Sequence, residues 1–136
     1  EVKSQTIRSD LLDNRGDGLR GSRIQGSTTP KHLTKEATTH VKCLATFNGM
    51  SLIECMLETG RTHQIRIHLS EAGHPLLGER AYNREYEGEK IDSSRIMLHA
   101  AELGFIHPTH QTPVSWKESP PEDFLNYLPK SAQTLL

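Results

Sequence analysis

The sequence predicts an α+β fold of antiparallel strands with short helices beside them. Three observations lead there. Two runs rich in apolar and β-branched residues flank Asn48-Gly49, a dipeptide suited to a tight hairpin turn. One helical stretch follows, from about Thr62 to Ala72, and the tail holds a further short strand and a short helix. With 34% of its 136 residues hydrophobic, the chain has material for one modest core.

Glu1 to Ile7 reads as a short edge strand, anchored only by Val2 and Ile7. Residues 13–29 hold four glycines and three arginines among few apolar positions, which predicts a flexible basic loop. Arg15, Arg20 and Arg23 are its candidates for gripping a nucleic-acid backbone, against the plainer reading of a solvated linker. Ala37–Phe47 and Ser51–Leu57 form the hairpin. Its register follows from the need to bury one face. A three-residue loop or a bulge sets Val41 against Leu57, Cys43 against Cys55 and Ala45 against Ile53, giving one continuous apolar side. The two cysteines then lie opposite each other as buried thiols.

Ile65, Leu69 and Ala72 recur at i, i+4 and i+7, the apolar stripe of an amphipathic helix. Gly73 stands where a left-handed cap belongs, and Pro75 prevents resumption. Arg61, His63, Gln64, Arg66 and His68 crowd the start of this helix. Unpaired N–H groups and the positive end of the dipole lie there, so an anion is the natural guest. The competing reading is a solvated face with Thr62 as a cap. Arg66 adjoins the apolar stripe, which predicts partial burial; its plain alternative is an ion pair with Glu71 or Asp92. Arg84–Ser94 is an exposed charged loop. Arg95–Ile106 reads as a buried strand broken at Glu102–Gly104, and Val114–Lys117 as a short strand holding the single tryptophan. Pro120-Pro121 opens a short helix over Glu122–Tyr127 with acidic residues in its first turn.

Composition excludes several classes. The net charge of −1 does not mark a nucleic-acid binder, but its distribution is uneven. Residues 1–42 carry eight Lys/Arg against five Asp/Glu, and 43–136 carry eight against twelve. No apolar run approaches the roughly 20 residues of a membrane helix, so no membrane partner is expected. Two cysteines outside any C-x-x-C pair suit a reducing, cytoplasmic setting. Eight histidines raise the question of metal, yet there is no H-E-x-x-H and no Cys–His zinc spacing. No metal site is expected. Neither cysteine opens a helix, and Ser70 and Ser115 lack a glycine elbow, so a hydrolytic nucleophile is not indicated.

The run GRTHQIRIHL (Gly60–Leu69), then GHPLLG and AY up to Tyr82, resembles the signature block of the RluA-type RNA pseudouridine synthases. RIMLHAAELGFIHP (Arg95–Pro108) and SPPEDF (Ser119–Phe124) resemble later blocks of the same family, in the same order. The likeness spans roughly Ala37 to Tyr127. It implies a mixed, mostly antiparallel sheet flanked by short helices, and isomerisation of uridine in ribosomal or transfer RNA without metal or organic cofactor. It also implies roles. Arg66 matches the family's arginine that pairs with a nucleophilic aspartate. Arg61, Thr62, His63 and Gln64 match positions that contact RNA or orient substrate, and Leu98 matches an apolar contact to the flipped base, although plain core packing is the stronger reading of it. Glu79 stands where many relatives carry Asp, a change expected to touch only the following turn. The family's HRLD-type motif and YxA-type tyrosine segment are absent from these 136 residues. The chain is therefore expected to be the C-terminal portion of such a catalytic domain, with the missing N-terminal part as a partner and no activity alone. The rival reading is a non-catalytic RNA- or protein-binding module that keeps the fold.

Overall fold

The computed structural model describes residues 2–136; Glu1, expected at the head of the first strand, lies outside the described residues. The chain divides into two compact units, 1–96 and 97–136. In the first, a four-stranded antiparallel sheet has the order β2 (Gly21–Ser22), β1 (Gln5–Leu12), β3 (Lys35–Phe47), β4 (Met50–Leu57). Helix α1 (Gln64–Glu71) packs on this sheet. The architecture is the expected α+β one.

Asn48 and Gly49 both take positive φ, 48° and 73°, the two-residue turn that matches strand twist. That turn pairs Phe47 with Met50 and Ala45 with Leu52. Beyond it Leu44 is an extra residue, and the register shifts so that Cys43 meets Ile53, Val41 meets Cys55 and Thr39 meets Leu57. The expected pairing is thus corrected by two residues, and the cysteines are not opposite each other. The bulge is what reconciles the tight turn with burial. It restores a register in which Val41, Cys43, Ile53 and Cys55 share a face. Val41 is buried, with Ile53 and Cys55 packed against its cluster, and burial pushes the Cys55 thiol up to about 11.

β1 is longer than expected, and Gly21-Ser22 covers its end by pairing with Leu11 and Leu12. The 13–29 segment is accordingly more ordered than a bare linker. Asn14 Oδ1 accepts the N–H groups of Gly16 and Gly18, and the Arg23 guanidinium donates to the carbonyls of Ser27 and Thr29. Arg23 is therefore spent within the loop. Arg15 pairs with Asp17 and Arg20 with Asp13. A 3-10 turn at Lys31–Leu33 leads into β3.

Helix α1 begins two residues later than expected, because His63 adopts a left-handed conformation at the N-cap (φ 58°). Its C-terminus is as expected. Gly73 has φ 80°, and its N–H reaches Ser70 O while His74 N–H reaches Leu69 O, a Schellman cap. The buried face differs from the predicted stripe. Gln64, Ile67, His68 and Leu69 are buried, Ile65 only partly, and Ala72 is exposed. The reason lies in the sheet, which presents Thr38 and Thr39 as well as Val41, Ala37 and Leu11. Polar helix residues therefore find partners inside.

The second unit holds an antiparallel hairpin of β5 (Glu102–Ile106) and β6 (Pro113–Lys117), then α2 (Glu122–Leu125) and α3 (Lys130–Gln133). The expected buried strand from Arg95 is corrected here. Only Glu102–Ile106 is strand, and it is exposed along its whole length. Phe105 and Trp116 rings lie 5.5 Å apart across the hairpin.

Candidate active site

Arg66 projects from the first turn of α1 toward the loop after Gly78. Its Nε and Nη2 donate to Glu79 Oε2 and Oε1, each at 2.7 Å, a bidentate pair. The Glu79 side chain is 1% exposed and that of Arg66 17%. Neither Glu71 nor Asp92 is the partner; Glu71 holds the backbone N–H and hydroxyl of Ser22, and Asp92 pairs with Arg80. Glu79 also accepts the N–H groups of Arg80, Ala81 and Tyr82 at 3.0, 2.8 and 3.2 Å. The expectation that Glu79 touches only the following turn is corrected, since it also binds Arg66 of the helix. It is the carboxylate that anchors Arg66. Burial would raise the Glu79 carboxyl, but Arg66 and the N–H groups of Ala81 and Tyr82 outweigh it and hold the group below the usual carboxylate range.

Gly78 makes the Glu79 loop possible. It has φ 79°, and a Cβ there would come 2.2 Å from the Arg95 carbonyl oxygen, so no other residue fits without moving backbone. Beyond the loop, the Tyr82 ring lies under Arg66, 5.1 Å from guanidinium carbon to centroid. Tyr82 Oη is 2.7 Å from His63 Nδ1, and the two rings meet edge to face. Burial, then the positive charges of Arg66 and Arg20, lower the His63 pKa. The imidazole is thus kept neutral beside a fixed cation.

The remaining expected residues separate. Gln64 is buried, and both ends of its amide are used. Its Nε2 donates to Thr38 O and Thr39 Oγ1, and its Oε1 accepts from Thr59 Oγ1 and the Arg61 N–H. A side chain so engaged locks helix to strand; as an RNA contact it is corrected. Thr62 is exposed. Arg61 is also exposed and donates from Nε to Glu36 O at 3.0 Å. With Arg20 and Lys35, Arg61 and Thr62 line a cleft of about 170 Å³. Leu98 belongs to the second unit and is 40% exposed, so core packing does not account for it. Glu58 lies 2.6 Å from His40 Nε2.

His68, expected among the polar groups at the helix start, is instead interior. It is fully buried, with Nδ1 2.9 Å from Thr39 Oγ1 and Nε2 3.0 Å from Ser9 Oγ. The Ser9 hydroxyl is 2.7 Å from that of Ser22, which reaches Glu71. A hydrogen-bonded row therefore runs from Gln64 to Glu71 beneath the helix. Among the described residues no group of three His, Cys, Asp or Glu side chains gathers as metal ligands would. Nor is any helix among them long and apolar enough to cross a membrane.

A paired, half-sheltered arginine at the mouth of a helix, on an antiparallel sheet, is the arrangement to be placed among known proteins. The profile of the RNA pseudouridylate synthases matches residues 1–71, and the chain belongs to that family. Among curated proteins it is 44% identical over 94 residues to the ribosomal large subunit pseudouridine synthase D of Zymomonas mobilis, covering 65% of this chain and 30% of that protein. It is likewise 44% identical over 89 residues to the RNA pseudouridine synthase YlyB of Bacillus subtilis, itself uncharacterized, covering 65% and 28%. Of solved structures, human RNA pseudouridylate synthase domain containing 1 superposes with a TM-score of 0.65 at 30% identity, over 92% of this chain and 51% of that one. The chain spans about 30% of the length of the first of these curated relatives.

Proposed function

We propose that this chain is the arginine-bearing, C-terminal portion of a pseudouridine synthase catalytic domain, converting uridine to pseudouridine in structured ribosomal or transfer RNA in the cytoplasm. One observation carries the reading. Two of the five N–H donors of Arg66 are committed to Glu79, which fixes the plane of the guanidinium and leaves its other edge for a second carboxylate. In this reading that carboxylate is the nucleophilic aspartate of the missing N-terminal part. A guanidinium keeps such an acid ionised in a partly dry site, lowering its pKa by about 1–3 units. The target uridine leaves its stack to be reached. Its N1 bond to the sugar breaks, the base turns, and C5 bonds to the same sugar carbon. C5 releases a proton and N1 ends protonated, so atoms balance with no co-reactant.

Arg61 and Thr62, beside Arg20 and Lys35, are assigned to RNA phosphate. His63 is assigned to substrate orientation through Tyr82, and Leu98 to the flipped base. The test uses RNA tritiated at uridine C5. The complete enzyme releases tritium to water, Arg66→Met abolishes release with RNA binding largely kept, and the 136-residue chain alone releases none. Turnover by the chain alone overturns the reading of a half-site; equal loss of turnover and binding in Arg66→Met overturns the aspartate-pairing role.

A further inference from the structure

A second pocket of about 420 Å³, lined by Tyr82, shares Arg20 and Ile67 with the cleft at the helix start. It belongs to the first unit. Its walls include the rings of Tyr82 and Tyr86, with Arg15 and Arg84 beside Glu85 and Glu87. The Tyr86 ring is seated directly on Gly88, where a Cβ would come 2.3 Å from its Oη and 2.4 Å from Cζ. Glycine is thus what allows that ring to lie where it does. The volume falls within the range of small-ligand sites, about 300–1,000 Å³.

The charge pattern selects the guest. Glu71, Glu85 and Glu87 stand among the guanidiniums of Arg15, Arg20 and Arg84, a balance that disfavours a doubly charged phosphate. Arg15 is already within 3.5 Å of Glu85 and bound to Asp17, and Glu71 is held by Ser22. What such a wall accepts is a flat, uncharged group with donors on one edge and acceptors on another. Among nucleobases, guanine matches best. Its N1–H and amino group suit a carboxylate, and its O6 and N7 suit an arginine fork. Aromatic side chains supply a stacking face.

We propose that this pocket is a subsite for an unpaired guanine of the RNA, adjacent to the target nucleotide. The inference rests on the synthase reading for its ligand. Tyr82 links the two places, since its ring carries Arg66 and also lines the pocket. Glu85 and Glu87 take the donor edge, Arg84 the acceptor edge, and Tyr86 the face.

The test is an NMR titration of the chain with GMP, UMP and ribose 5-phosphate. GMP shifts the Tyr86 ring signals saturably and binds about tenfold more tightly than UMP, the discrimination of one good edge contact at about 1.4 kcal/mol. Ribose 5-phosphate leaves those signals in place. Tyr86→Ala abolishes the GMP response, Tyr86→Phe retains it, and Glu85→Gln with Glu87→Gln removes the preference over UMP. Equal responses to GMP and ribose 5-phosphate, or an unchanged GMP affinity in a folded Tyr86→Ala, overturn the proposal. Failure of the synthase reading is seen separately: GMP seats here, but the complete enzyme releases no tritium from RNA.

Discussion

Replacing Arg66 by Met tests the central ion pair as a structural element, apart from any chemistry. The substitution keeps the length and apolar stem of the side chain and deletes only the cation. It leaves the Glu79 carboxylate 1% exposed, without its bidentate partner. Removing one member of a buried pair costs about 3–5 kcal/mol. The three N–H groups that still face Glu79 and the partial exposure of Arg66 argue for the lower end, about 3 kcal/mol, or roughly 150-fold in an opening equilibrium. Amide hydrogen exchange of β1 and β3 is the suitable assay, because Trp116 lies in the other unit and reports elsewhere. The pH dependence supplies a second check. The Glu79 pKa is lowered in the fold, so its contribution is fully present above the unfolded carboxyl value of about 4.3 and is lost as pH falls through the folded value. The gap between native protein and Arg66→Met therefore narrows below about pH 4. A variant within about 0.5 kcal/mol of native at pH 7, the scatter of ordinary surface changes, refutes the argument.

Two further perturbations follow from the same interior. Burial lowers the His68 pKa, so the ring is neutral in the fold and takes up a proton more readily when unfolded. Stability is then full above the ordinary histidine value of about 6.5 and falls as pH drops from there through the folded value. A urea midpoint that stays flat between pH 7 and 5 contradicts this. Gly78→Ala forces a Cβ against the Arg95 carbonyl at a positive φ, and is expected to cost at least about 2 kcal/mol while freeing Glu79. A native midpoint in thermal unfolding of this variant defeats that view of the loop.

What the sequence disclosed and what it withheld divide along the range of the interactions. Asn48-Gly49 announces its hairpin because the turn chemistry is local, and Gly73 announces the end of α1 for the same reason. The shared face of Val41, Cys43, Ile53 and Cys55 was legible from parity. The register was not, because Leu44 as an extra residue shifts the pairing and reverses the facing of β3 toward the turn, so that Ala45 meets Leu52 instead of Ile53. Gln64 and His68 look like surface residues, since nothing in their neighbourhood tells that Thr38, Thr39 and Ser9 wait beneath them. Arg66 was found through its motif and its place beside the apolar stripe. Glu79 was not, because its partnership joins a helix to a loop 13 residues away, and no periodicity records that. The one available signal was a carboxylate directly after Gly78, in a turn whose N–H groups point inward.

The row of polar groups under α1 has a direction. Glu71 can only accept, so the Ser22 hydroxyl proton is turned toward it. Ser22 has one proton for both Glu71 and Ser9; with that proton directed at Glu71, the Ser9 hydroxyl is the donor between the two serines, and His68 gives the proton on Nε2 to Ser9. Nδ1 is left as a bare lone pair that Thr39 fills, and Thr39 in turn receives the amide of Gln64. A carboxylate at the rim thereby dictates the tautomer of an imidazole in the interior, three hydrogen bonds away, and the nitrogen-15 shifts of that ring would record it.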